Sequence, residues 1–172
     1  NDFAKDKGID SVKDLIGYAK KNPDQLNFGS GGNGSAGHLA GELLNVRSGI
    51  KTVHVPYAGA APAKLALLAG QINYMFDNLA SAATLITEGK VKALAVTTAE
   101  ASSIFPKLPT MQQQGVENFD LGTWFGVFTT GGTAKPIVDK NTKRERLALF
   151  QGQASEYRAD APARARSPLF TY

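Results

Sequence analysis

The sequence predicts an α/β domain, a mostly parallel sheet flanked by helices, and three observations carry that reading. Short strand-like runs at Gln25–Phe28, Lys51–Val55, Gln71–Phe76 and Val91–Thr97 alternate with helical patterns. Each of the first three runs ends in turn residues that lead directly into a helix, the βαβ rhythm of a parallel sheet. The chain has 172 residues, 42% hydrophobic and 20% charged, enough for one such domain with its own core.

The elements follow in order. Ser11-Val12-Lys13-Asp14 has the form of a capping box and opens a helix to about Lys21, with Val12, Leu15, Ile16 and Ala19 as its buried stripe. Asn22-Pro23 ends it. After the strand Gln25–Phe28 comes the glycine-dense turn Gly29–Gly34, then a helix from Ser35 to about Arg47, stopped by Ser48-Gly49. Ala36, Leu39, Ala40, Leu43 and Leu44 are spaced to form its apolar face. Lys51–Val55 reads as the second strand. Pro62 then sits near the start of the next helix, where its missing N–H costs nothing, and Gly70 ends that helix. Gln71–Phe76 is the third strand, followed by a helix from about Leu79 to Glu88. Asp77 is a candidate cap for that helix. Val91–Thr97 is the expected fourth strand, with a short helix expected over Thr110–Gln114 and strand character over Leu121–Thr130. Within that last stretch Trp124 and Phe125 read as core, the usual place for a large aromatic pair. From Asn141 the residues turn rich in Ala, Arg and Pro with little periodicity, so two regions are expected: 1–140 as the folded unit and 141–172 as a partly helical or disordered tail.

Composition excludes several classes. There are no cysteines, which removes disulfides and thiol chemistry. No apolar run is long enough for a membrane span, so membrane insertion is not expected, and the polar start NDFAKDKGID shows no signal peptide. The formal charge of +4 invites a nucleic-acid reading, but five of the six arginines follow Lys143 and no basic stripe with interleaved aromatics precedes them. A solvated surface accounts for that distribution, and no nucleic-acid partner is expected.

The chemistry gathers at Gln25–Arg47, QLNFGSGGNGSAGHLAGELLNVR. Glycines in the turn permit positive φ or close approach to the backbone. Ser35 as N-cap would leave the first N–H groups of the helix facing the glycines, a setting that suits an anion. The plainer alternative is a corner that needs glycine only to turn. Gly32-Asn33-Gly34-Ser35-Ala36-Gly37 matches the dinucleotide pattern, yet the following strand, Thr52-Val53-His54-Val55-Pro56, carries no acid for a ribose. No Lys follows Gly34, so a Walker loop fails, and Asn33 stands where a nucleophile elbow needs its first glycine. A small carboxylate, without a cofactor, remains.

Three runs in order, FGSGGNGSAGHLAGELL, VHVPYAGAAPAKLALLAGQINYMFDNLASA and GKVKALAVTTAEASSIFPKLPTMQQQGVENFDLGTWFGVFTTGGTAKPIVDK, resemble the second domain of the Bug-type periplasmic solute-binding proteins, the receptors of tripartite tricarboxylate transporters. The likeness covers roughly Ser11–Lys140. It implies a single lobe of a two-lobed, type II-like periplasmic-binding-protein fold, closing on a small carboxylate and delivering it to membrane transporter subunits from the periplasm. On that resemblance Ser30, Gly31, Gly32, Asn33, Gly34, Ser35 and Ala36 would hold one carboxylate end, with Tyr57, Gly59 and Asp77 bordering the rest. His38 joins this set, expected to hydrogen-bond locally and shape the loop. A Ser35–His38–Asp77 triad is rejected for lack of the elbow signature, and His38 with Glu42 supplies too few ligands for zinc. The expectation is therefore a binding protein and not an enzyme, with a dinucleotide-binding oxidoreductase fragment, or a truncated domain without ligand, as the competing readings.

Overall fold

The computed structural model describes residues 2–123 and 130–140. Two compact units divide the chain between Trp124 and Phe125. Within the first unit the element order is α1 (Asp2–Asp6), α2 (Val12–Lys21), β1 (Asn27–Ser30), α3 (Ala36–Ser48), β2 (Val53–Pro56), α4 (Ala60–Leu68), β3 (Tyr74–Met75) and α5 (Leu79–Thr87). Among the described residues of the second unit, 135–140 are helical.

The sheet has the order β2-β1-β3 and both pairings are parallel, so β1 is central and all three strands end on one edge. Register aligns Ser30 with Pro56 and Gly29 with Met75. Side chains alternate across β1. Phe28 and Ser30 face α3, because a methyl on Gly41 would lie 2.1 Å from the Phe28 ring and one on Gly37 would lie 3.5 Å from Ser30 Cβ. Gly29 faces the other way, towards Ile72 and the Tyr57 ring. Helices cover the sheet through α3 and α4, both of which contact β1.

Caps fix where the helices begin. Ser11 Oγ accepts from Asp14 N–H, and the Asp14 carboxylate accepts from Asp10 N–H and the Ser11 hydroxyl. These bonds hold the Asp14 carboxyl below its ordinary value, the Ser11 hydroxyl foremost. Val12, Leu15 and Ala19 are buried as the spacing predicts, with Ile16 packed at the margin of the same core. That core joins α2 to Ala40 and Leu44 of α3 and to Met111, Val116 and Phe119.

Four expectations change. The buried residues of α3 are Ala40, Gly41 and Leu44, with Gly37 and Leu43 half-buried, while Ala36 and Leu39 are exposed, Leu39 by 53%. Close packing selects the two small glycines over the larger side chains, because only a helix without Cβ atoms there fits over Phe28 and Phe76. Val91–Thr97 is not a strand, since residues 92–95 pair with nothing in a ladder. Its end instead makes one isolated parallel bridge, Val96 to Thr110, and Leu121 N–H donates to the Thr97 carbonyl. Thr110–Gln114 forms turns in place of a helix, fastened by Thr110 N–H donating to Gln113 Oε1 and Gln113 N–H to Thr110 Oγ1. Asn78, not Asp77, caps α5, its side chain accepting from Ala80 N–H at 3.0 Å. Residues 121–123 are irregular, and the rest of the expected last strand, with Trp124 and Phe125, lies outside the described residues apart from Thr130.

Candidate functional site

A parallel sheet places its strand-to-helix corners along one edge, and here three corners touch. The first is the loop from Gly31 to Ser35, the second Tyr57–Gly59, the third Phe76–Asn78. Gly31 lets the first meet the second: a methyl there would sit 3.1 Å from the Ala60 amide nitrogen and 3.3 Å from the Gly59 carbonyl carbon. Gly37 lets α3 approach the third, where a methyl would lie 2.9 Å from the Phe76 carbonyl oxygen. Gly32, Gly34 and Gly59 take φ of +117°, +77° and +118°, conformations that a side chain would strain. The N-termini of α3 and α4 therefore converge on one patch of the sheet edge.

The loop is fastened by its own residues. Ser30, fully buried, accepts from Gly32 N–H through its hydroxyl at 3.1 Å and lies 3.0 Å from the Gly32 carbonyl. Ser35 donates its hydroxyl to the same carbonyl at 2.7 Å, and accepts from His38 N–H at 3.4 Å as the cap of α3. Gly34 N–H donates to His38 Nδ1 at 3.0 Å, the local role expected of that histidine. Both serine hydroxyls are thus committed to shaping the loop. The N–H groups of Asn33, Ala36 and Gly37 find no acceptor among the described residues. Those of Ala60 and Ala61 are alike, since Gly59 makes no side-chain cap. Unsatisfied N–H groups at two adjoining helix N-termini are the means by which backbone holds an anion.

The remaining expected residues fall around this patch. Tyr57 is half-buried with its ring edge against Gly29, and its N–H donates to the Ser30 carbonyl. Asp77 is nearly buried, 11% exposed, and its carboxylate pairs with Lys64 at 3.1 Å while accepting from the Ser81 hydroxyl at 2.9 Å. Lys64 also donates to Ser81 Oγ at 3.0 Å, so α4 and α5 are tied together beside the third corner. The negative charge of Asp77 is balanced in place. Ser35, His38 and Asp77 do not form a relay: the serine and histidine face the loop backbone and the aspartate faces Lys64.

His54 is a site residue that sequence reasoning passed over, reading it only as part of a strand without an acid. Its Nε2 lies 2.6 Å from Ser30 Oγ, and its ring stacks on both His38 and Phe28. The usable signal was register: a histidine in the strand beside β1, opposite Phe28, stands next to the base of the glycine loop. Burial, then the neighbouring His38, holds its pKa below the ordinary histidine value, with Glu42 pulling weakly the other way. Tyr74, further down the stack, has its pKa raised by burial, while its hydroxyl bonds Thr52 at 2.8 Å.

Two other concavities lie away from this edge. One of about 510 Å³ is lined by Ile86, Val91 and residues 104–108, the other of about 270 Å³ by Ala4, Lys5, Ile9, Asp10, Gly89, Val91 and Lys92. Neither includes a residue of the three corners. Among the described residues no group of three His, Cys, Asp or Glu could hold a metal, and no helix is long and apolar enough to cross a membrane.

The fold is thus an α/β lobe whose helix N-termini converge on one edge of a parallel sheet. The chain belongs to the tripartite tricarboxylate transporter receptor family, whose model matches residues 4–161. It is 35% identical over 136 residues to the UPF0065 protein in the tcbD-tcbE intergenic region of Pseudomonas sp. (strain P51), covering 78% of this chain and 40% of that one. Protein BugT of Bordetella pertussis is 33% identical over 130 residues, 76% of this chain and 40% of the relative. Among solved structures, R. palustris Rpa4515 with adipate superposes with a TM-score of 0.78 at 34% identity, covering 85% of this chain and 48% of the other. The periplasmic binding protein BugD gives 0.77 at 39% identity, with 81% and 47% covered. MatC of Rhodopseudomonas palustris with bound malate gives 0.76 at 34% identity, with 83% and 48% covered. The chain thus spans about two-fifths to one-half the length of these proteins. BugD is described as a periplasmic binding protein, and the lobe superposes on about half of it.

Proposed function

We propose that this chain is the carboxylate-holding lobe of a periplasmic solute-binding receptor that serves a tripartite tricarboxylate-type transporter. The observation that carries the reading is the meeting of the α3 and α4 N-termini at Gly31, which leaves the N–H groups of Asn33, Ala36, Gly37, Ala60 and Ala61 without protein acceptors among the described residues. A carboxylate seated there receives charge-assisted bonds from backbone groups that are already in place, so little ordering accompanies binding. Tyr57 and Gly59 border the seat from the second corner and Asp77 from the third, its charge offset by Lys64. The adipate and malate of the two solved relatives fit the same chemistry and support a small aliphatic dicarboxylate as solute.

Titration calorimetry with adipate, malate and a nicotinamide dinucleotide tests the proposal. Saturable heat with the dicarboxylates and none with the dinucleotide is expected. Binding of the dinucleotide alone would refute it.

A further inference from the structure

Behind the glycine loop two imidazoles stand in one stack, and each leads to a loop N–H. His38 and His54 lie with ring centroids 4.0 Å apart and planes 21° from parallel. Phe28 backs His54 at 4.9 Å and Tyr74 backs Phe28 at 5.6 Å. The stack has no slack on its α3 side, because Gly41 presses directly on the Phe28 ring. At its front, His38 Nδ1 accepts Gly34 N–H, and His54 Nε2 touches the buried Ser30 hydroxyl that accepts Gly32 N–H. Gly32 and Gly34 are two of the positive-φ positions of the loop.

We propose that His38 and His54 are positioning residues for the loop, a stacked pair of neutral imidazoles whose protonation at His38 releases Gly34 and relaxes the anion seat. Accepting a hydrogen bond requires the Nδ1 lone pair, so His38 must carry its proton on Nε2, and a second proton on Nδ1 displaces Gly34 N–H. At 4.0 Å a charge on one imidazole opposes a charge on the other. The charged groups facing the stack are few. Glu42, on α3 with His38, lies 4.0 Å from His38 Nε2, while β1 presents the neutral Ser30 and Phe28 to His54. Burial opposes charge on His54.

The functional consequence rests on the carboxylate reading, but the loop itself can be followed without any ligand. Nitrogen-15 NMR of the whole chain between about pH 8 and pH 5 would track the imidazole nitrogens together with hydrogen exchange at Gly32 and Gly34. Protection of Gly34, taken against the intrinsic exchange rate at each pH, should fall about five- to tenfold with the same midpoint as His38 protonation, the loss of one hydrogen bond. His38→Asn places an oxygen near the Nδ1 position and should keep Gly34 protected at every pH, whereas His38→Leu should leave it unprotected throughout. Gly34 protection that ignores His38 titration in the unmodified chain would overturn the proposal, and needs no variant to fold. Adipate titrations at both ends of the pH range separate the two ideas. Affinity that falls with Gly34 protection supports both, and absent adipate binding with intact loop titration counts against the carboxylate reading alone.

Discussion

Gly31, Gly37 and Gly41 act by what they lack, and each can be tested through the atom a methyl would meet. At Gly31 the φ is outside the left-handed region, so alanine adds no backbone strain and acts only as a wedge against Ala60 N and Gly59 C. Gly31→Ala should part the two helix N-termini by a few tenths of an ångström, weaken carboxylate binding severalfold and change stability by less than about 1 kcal/mol. Calorimetry alongside denaturant unfolding checks both halves. His54 supplies a second residue-level outcome. Its folded pKa is depressed, so the neutral form stabilises the native state fully above the ordinary histidine value of about 6.5, and that contribution is lost as pH falls from there towards the folded value. His54→Gln should reduce the loss of stability between pH 7.5 and pH 5.5, measured by urea midpoints. An equal loss in both proteins would show that other groups govern the acid limb.

At the scale of elements, α3 shows what sequence patterning reaches and where it stops. Its limits, its Ser35 cap and its Gly49 stop were legible, because capping is a local matter of a few residues. Its buried face was not, because counting Leu39 as core assumes that large apolar side chains win the interior. Here the sheet brings Phe28 so close that Gly41 must face it and Leu39 turns outward. Gly41→Ala should therefore destabilise by about 1–3 kcal/mol through overpacking, a fall of about 2–4 °C in melting temperature for each kcal/mol. Pairing it with Phe28→Leu should recover part of the loss, a coupling that a propensity effect alone would not give. The missing fourth strand has a similar origin. Val91–Thr97 carries strand-like residues, yet a strand exists only by its ladder, and Val96 and Thr97 spend their bonds on Pro109, Met111 and Leu121. The site was legible to the extent that glycines and a cap announce a corner. His54 was hidden because its role comes from register with β1, a relation no local window contains.

For the whole molecule the decisive quantity is how far one lobe alone can enclose a ligand. The three corners lie on the edge of a sheet whose chain spans 47–48% of the solved relatives it matches. A partly buried helix N-terminus contributes up to about 2 kcal/mol towards an anion, and an exposed one about 0.3–1. Each charge-assisted hydrogen bond adds about 1.5–3 kcal/mol where water is excluded and less where it is not. Against these stands the lost freedom of the ligand, at least about 4 kcal/mol. A second wall would shut out water and raise every one of the favourable contributions, whereas a single open edge leaves them near their lower bounds. The 172-residue chain should accordingly bind adipate or malate with a dissociation constant of about 1 mM or weaker, near −4 kcal/mol. Raising salt should weaken it further, since exposed charge contacts are screened within about 8–10 Å at moderate ionic strength. Titration calorimetry at two salt concentrations, with sedimentation to confirm a monomer, measures both effects. Salt-insensitive binding below 1 µM in the monomer would mean that residues of this chain close over the edge and exclude water without a second lobe.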